Sequence, residues 1–280
     1  MNRRESTPQS FTPYVFQTRN MREGENKAHS KKGAQAMGFK GSIVGGAIVY
    51  GQMLQPLVQR YGETWLGRHW FRLRFKAPAY DDDLVTAHIT FDTSENGDIP
   101  FHIRATNSDG QELIEMRTHI PETLPAVDPL AALEPKDWQG DRQIGTWDRM
   151  VLDTPFRPYH FQITQSQQER YCDLSNDKLP LYLEGDNPPL HPGFLMAQGS
   201  LAVQHQFEMP FWIHTGSTIL TRQLIRIGDA VELRCTPIEK WKRGGNDWVT
   251  FYQAYYLRDR PAQPAVEVWK TSIVKVANRS

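Results

Sequence analysis

The chain has 280 residues, enough for two ordinary domains or one large one. Hydrophobic residues make up 39% and charged residues 23%, which excludes a disordered chain, and 32 Lys plus Arg against 32 Asp plus Glu leaves no broad basic field to attract nucleic acid. Two cysteines in separate segments, Cys172 and Cys235, without metal-ligand spacing, argue against a disulfide framework and a zinc site, so a reducing cytoplasm is the expected setting and no metal is expected.

Residues 1–12 are polar and read as a flexible tail without the apolar stretch of a signal peptide. No run of about 18 apolar residues occurs, so no membrane partner is expected. Over 41–62, Ile43, Ala47, Ile48, Met53, Leu54, Leu57 and Val58 recur at helical spacing and predict one long, mostly buried helix. Strand-like segments follow at 69–78, 84–93, 101–108 and 112–120, separated by the turn sequences YDDD, ENGD and SDGQ. A stretch rich in Pro, Ala and acid begins at Pro121 and reads as a linker, placed over 121–150.

The same order then returns. A helix is predicted over 188–207, and strands over 218–227, 230–241, 248–259 and 265–277. Gly46 aligns with Gly193 at an offset of 193 − 46 = 147, and Asp82 with Asp229 at the same offset (229 − 82 = 147), so a duplicated α+β unit is expected, with domains at 13–120 and 151–280.

At the loop before the first helix, EGENKAHSKKG carries Asn26 and His29, spaced as in an Asp-x-Asn-Pro-x-His motif, with Gly24 at the Asp position and Glu23 and Glu25 beside it. In the second half, NDKLPLY places Asp177 and Pro180 on the Asp and Pro of that motif and Tyr182 on its His. Together with the glycine-containing helix starts, these residues make the chain resemble the MaoC-like acyl dehydratase/hydratase family, as a double hot-dog member. The resemblance implies a tandem hot-dog fold, two antiparallel sheets each wrapped around a long central helix and paired edge to edge into one pseudo-dimeric sheet. It also implies reversible hydration of an enoyl or 3-hydroxyacyl thioester, linked to CoA or a carrier protein, with no cofactor.

That chemistry needs a proton-transfer group and donors for a developing enolate oxygen. His29 is the candidate base, since both protonation states of an imidazole are accessible near neutrality. Asn26 is the candidate orienting residue, and Glu25 a second proton-transfer group. Gly46 and Gly193, at the two helix starts, are candidates to hold the oxyanion through free amides. Asp177 and Tyr182 are assigned to substrate binding, with Asp177 able to complement His29 across the interface of the halves. His191 and His214 read as structural. The alternatives are a noncatalytic acyl-thioester-binding protein and a hot-dog thioesterase. Because both halves of the fold lie in one chain, a monomer or a dimer of pseudo-dimers is expected.

Overall fold

A computed structural model describes residues 11–20, 26–92, 98–135 and 140–277. The order opens with β1 (Tyr14–Gln17), a 3-10 turn at Lys27–His29 and α1 (Lys31–Ala36), then α2 (Gly46–Met53) and α3 (Gln55–Gly67). Four strands follow: β2 (His69–Phe75), β3 (Leu84–Phe91), β4 (Ile99–Asn107) and β5 (Glu112–Ile120). The second half holds β6 (Gln143–Ile144), β7 (Tyr159–Phe161), α4 (Gln165–Ser175), α5 (Pro180–Leu183) and α6 (Pro192–Gln206). It ends with β8 (Phe207–Glu208), β9 (Ile213–Thr221), β10 (Val231–Arg243), β11 (Asn246–Leu257) and β12 (Val266–Lys275).

Ten strands form one antiparallel sheet in the order β1-β3-β4-β5-β2-β9-β12-β11-β10-β7, and β6 and β8 form a small parallel pair. Read outward from its centre, the sheet pairs β2 with β9, β5 with β12, β4 with β11, β3 with β10 and β1 with β7. The halves mirror one another across the seam, where residues 69–74 pair with 216–221. At this seam a Cβ on Gly216 would lie 2.7 Å from the Leu73 carbonyl oxygen. In β2 the alternation is legible side chain by side chain, with Phe71 and Leu73 buried and Arg72 and Arg74 exposed. The two sheets, expected to pair edge to edge, do so at this seam as one continuous sheet.

The single helix expected over 41–62 is corrected by the structure. Residues before Gly46 stay extended, with Ile43 bridging Tyr80, and the helical run breaks between α2 and α3. Pro56, in the first turn of α3, has no N–H to donate to the carbonyl of Gln52, so an unbroken ladder through this point is impossible. Helix α6 carries Pro only at its start and runs unbroken for 15 residues. The strand expected over 218–227 is displaced to Ile213–Thr221, because β9 pairs with β2 on one side and β12 on the other only over that span. Ile225 and Ile227 are still buried, outside any strand.

The repeat is real but offset by one residue from its sequence alignment. Ile43 bridges Tyr80 as Pro189 bridges Arg226, and the Val44 N–H donates to the Ala79 carbonyl as Leu190 donates to Ile225. Asp83 caps the Tyr80 N–H as Asp229 caps the Arg226 N–H, each at 2.8 Å. All of these pairs differ by 146 (189 − 43, 226 − 80, 190 − 44, 229 − 83), so Gly46 corresponds to Pro192 and Asp83 to Asp229.

One apolar cluster runs through both halves between helices and sheet, from Met53 and Phe71 to Val203 and Phe251. On the opposite face, the segment after Pro121 packs onto β11 and β12: Arg222, ion-paired with Glu267, donates to the carbonyls of Pro125 and Ala126, and the Tyr256 hydroxyl donates to the Ala131 carbonyl. Among the described residues no helix is long and apolar enough to cross a membrane.

Candidate active site

The sequence Asn26-Lys-Ala-His29-Ser30 folds as two successive caps. The Asn26 carboxamide oxygen accepts the Ala28 N–H at 3.1 Å and caps the 3-10 turn, and Ser30 caps α1 by accepting the Gly33 N–H at 3.1 Å. His29 is thereby held between two fixed turns. Its Nδ1 lies 2.7 Å from the Ile43 carbonyl oxygen, to which only an N–H can donate, so Nε2 carries the lone pair of the neutral ring. The Ile43 N–H donates to the Ala28 carbonyl, which closes this loop onto the chain just before α2.

Asn26 is buried and spends most of its amide on the other half of the protein. Its Nδ2 donates to the Trp212 carbonyl at 2.9 Å and approaches His29 Nε2 at 3.5 Å, while Oδ1 also accepts the Trp212 N–H at 3.4 Å. The Lys27 N–H donates to the Pro210 carbonyl at 2.9 Å.

His29 faces a cavity of about 560 Å³ whose wall includes Gly46 and Ala47 at the start of α2, Phe75 of β2, and Ser200 of α6. The volume lies in the usual range for small-molecule sites. Gly45, the N-cap of α2, provides no side-chain cap, and the first-turn amides of Gly46 and Ala47 have no intrahelical acceptor. A Cβ on Gly45 would lie 3.7 Å from His29 Cε1, so imidazole and helix start are neighbours. A Cβ on Gly46 would lie 2.6 Å from Phe75 Cζ; only glycine admits that ring.

The second half builds the same elements and fills them. The Tyr182 N–H donates to the Leu179 carbonyl as His29 donates to Asn26, which puts Tyr182 in the place of His29. Where α2 has Gly45, α6 has His191 (191 − 45 = 146). The His191 ring is buried, 4.6 Å from the Tyr182 ring centroid to centroid, and its Nδ1 accepts the Gly193 N–H at 3.1 Å. The helix start is thus capped from within. His191 Nε2 then donates to Asp177 Oδ2 at 3.1 Å, and Asp177 Oδ1 accepts from Gln55 Nε2 and the Leu179 N–H, each at 3.2 Å.

Of the residues singled out in the sequence, His29, Asn26 and Gly46 meet at one cavity. Glu25 lies outside the described residues. Asp177, Tyr182 and Gly193 do not line this cavity: the carboxylate of Asp177 is engaged by His191 rather than His29, Tyr182 is buried against His191, and the Gly193 amide is taken by the His191 cap. Gly193 is glycine for packing, since a Cβ there would lie 2.6 Å from the Ala47 carbonyl oxygen and 3.0 Å from Gly51 Cα where α6 crosses α2.

Two further side chains bear on the cavity, His214 in its lining and Lys270 bonded to the lining residue Ser200. His214 lines the cavity, with Nε2 3.1 Å from the Gly216 carbonyl and 2.8 Å from the Ser217 hydroxyl. Burial, reinforced by the charge of Lys270, holds it well below the ordinary imidazole pKa, so it stays neutral. Lys270 is buried, donates to Ser200 Oγ at 2.6 Å and lies 4.8 Å over the Trp212 ring. A signal for it existed: Val266, Val268, Lys270, Ser272 and Val274 form the inward register of β12, and a lysine on such a face is rare without a purpose. Among the described residues no Asp or Glu lines the cavity, and no group of three metal-binding side chains converges.

No protein-family model and no curated protein sequence matches the chain. Solved structures do. A protein described as a MaoC domain dehydratase from Chloroflexus aurantiacus superposes with a TM-score of 0.65 at 12% identity, over 94% of this chain and 93% of that one. A conserved hypothetical protein from Mycobacterium tuberculosis, described as having a double hot-dog fold, gives 0.60 at 9% identity over 89% and 88%. An oleoyl thioesterase structure from Lactobacillus plantarum gives 0.55 at 10% identity over 94% and 96%. With a mirrored sheet and these near full-length superpositions, the chain has the double hot-dog fold.

Proposed function

We propose that the chain is a cofactor-independent hydratase/dehydratase of an enoyl or 3-hydroxyacyl thioester carried on CoA or a carrier protein, built from hot-dog units at 13–120 and 151–280. The observation that carries this reading is His29 with its lone-pair Nε2 beside the uncapped start of α2, in one cavity. In the hydration direction, His29 takes a proton from water as the oxygen adds to the β-carbon. The electron pair of the C=C bond moves to the thioester oxygen, and the Gly46 amide, with that of Ala47, holds the resulting enolate at the positive end of the helix. His29 then returns the proton to the α-carbon. Asn26 serves as a positioning residue through Trp212. The dehydratase among the structural neighbours agrees with this chemistry, and the thioesterase among them keeps hydrolysis as the rival.

The test is product analysis with crotonyl-CoA and the purified chain. Formation of 3-hydroxybutyryl-CoA supports the reading. Release of free thiol assigns a thioesterase instead, and binding without conversion assigns a carrier or sensor of acyl thioesters.

A further inference from the structure

The cavity does not end at Trp212. Its lining continues through Ile213, Ile273 and Trp248, which lie side by side in one row across the ends of β9, β12 and β11. Beyond the cavity the row gains one more member, Trp241 of β10, directly opposite Trp248, with the two rings stacked at 5.6 Å and 14°. Three strand spacings carry the row about 14 Å from Ile213 to Trp241. It stops there, because β7 pairs with β10 only at Val231–Leu233 and leaves the β10 edge beside Trp241 without a neighbouring strand.

Alternation along the strands puts two cations on the face of these indoles: Lys275, two residues beyond Ile273, and Arg243, two beyond Trp241. Both are exposed, and among the described residues neither side chain is engaged by a carboxylate. Lys240 and Lys242 face the other way, over the Trp147 ring at 4.0 and 4.8 Å. Of the two acids on the hairpin, Asp247 lies 3.7 Å from Lys242, and Glu239, which accepts from Thr250 Oγ1 at 3.4 Å, sits two residues before Trp241, on the side away from Arg243. An indole face flanked by cations, at the end of an apolar path out of the cavity, is suited to a purine nucleotide: the base stacks on the ring, and Arg and Lys take the phosphates.

Deepening the acyl-thioester reading and resting on it, we infer that Trp241, Arg243 and Lys275 bind the adenine nucleotide of CoA, so that the acyl carrier is CoA rather than a carrier protein. Trp241 stacks on the adenine with Trp248 behind it, and Arg243 and Lys275 pair with the phosphates. The pantetheine arm then runs over Trp248 and Ile273 into the cavity, which brings the thioester toward His29.

The experiment compares, by calorimetry, binding of butanoyl-CoA and of S-butanoyl-4′-phosphopantetheine, which share acyl group, thioester and arm and differ in the nucleotide. The wild type is expected to bind the CoA ligand at least about tenfold tighter. Trp241→Ala should bring that ratio close to one, Trp241→Phe, which keeps an aromatic face, should restore most of it, and Arg243→Ala combined with Lys275→Ala should lower it severalfold. Equal affinity of the wild type for both ligands, or a ratio unchanged in Trp241→Ala, overturns the site, and the first of these results leaves a carrier protein as the partner. Should Trp241→Ala not fold, the exposed Arg243 and Lys275 carry the test, and an unchanged ratio in their double variant overturns the site equally. A Trp241-dependent preference for the CoA ligand without hydration of any enoyl-CoA would overturn the hydratase reading alone, and hydration of crotonyl-CoA with equal ligand affinities would overturn the nucleotide site alone.

Discussion

Asn26 and Trp212, 186 residues apart in sequence, are joined twice: the Asn26 amide donates to the Trp212 carbonyl at 2.9 Å and accepts the Trp212 N–H at 3.4 Å. The carboxamide thus mimics a backbone edge and welds the His29 loop to the other half. Asn26→Ala leaves a buried carbonyl and the Ala28 N–H without these partners and is expected to cost about 2–4 kcal/mol of stability. Asn26→Asp should be worse still, because it replaces the donor facing the Trp212 carbonyl with an acceptor. Denaturant unfolding of both variants checks this; an unchanged midpoint in Asn26→Asp would refute the weld.

His29→Ala removes a half-buried ring that donates to one carbonyl, so the loss should fall on turnover. Hydration of crotonyl-CoA is expected to drop by roughly 10²–10⁴-fold, the scale of a positioned proton transfer. Thermal melting confirms that the variant is folded, and wild-type rates in it would remove His29 from the chemistry.

The two glycines first aligned with one another should respond in opposite ways. Gly193→Ala drives a methyl into the main chain of α2 at Ala47 and Gly51, which a side-chain movement cannot relieve, and is expected to destabilise by about 3 kcal/mol. Gly46→Ala meets the Phe75 ring instead, costs about 1–2 kcal/mol, and displaces a ring of the cavity wall. Activity per folded molecule should therefore fall in Gly46→Ala and persist in Gly193→Ala. The reverse order would place the reactive helix start in the second half.

Acid should weaken the fold through His69. Its ring is buried between Trp65 and Phe71 and burial, partly offset by its bond to the Trp65 carbonyl, lowers its pKa to about 4. The unfolded chain, with an ordinary imidazole near 6.5, binds the proton first as pH falls. The contribution is therefore fully present above about pH 6.5 and is lost as the pH drops toward 4, on the order of 3 kcal/mol in all. His119, His205 and His214 are shifted in the same direction and add to the slope. His69→Gln should flatten the melting temperature between pH 6.5 and 4, and an unaltered slope would show that His69 titrates normally.

The strands of the sheet were legible because alternation is local: Phe71 and Leu73 against Arg72 and Arg74 state which face is which. Helix α4 is hard to read from sequence although Thr164 and Gln167 form a capping box, since its polar sequence offers no apolar stripe. The repeat was found at 147 rather than 146 because glycine was matched to glycine, while Gly46 makes room for a ring and Gly193 for a helix. At the candidate site, the His29 and Asn26 spacing pointed to a loop that lines the cavity. The Trp212 contact left no trace in the sequence, because its partner atoms are main chain and carry no residue signature. Lys270 did leave one, as the cation in the inward register of β12 among the described residues.

The His191 cap has a consequence for stoichiometry. A duplicated hot-dog chain has two helix starts on which a thioester oxygen could rest, but one of them is already taken by an internal imidazole bonded to the Gly193 amide and backed by Asp177. On the proposed reading, two units yield one seat, and the second unit forms its wall and scaffold. Titration with an acyl-CoA should end at one equivalent per chain. Replacing His191 by glycine would vacate the second helix start at the expense of the contact that holds it closed, so any second equivalent should appear together with a less stable fold.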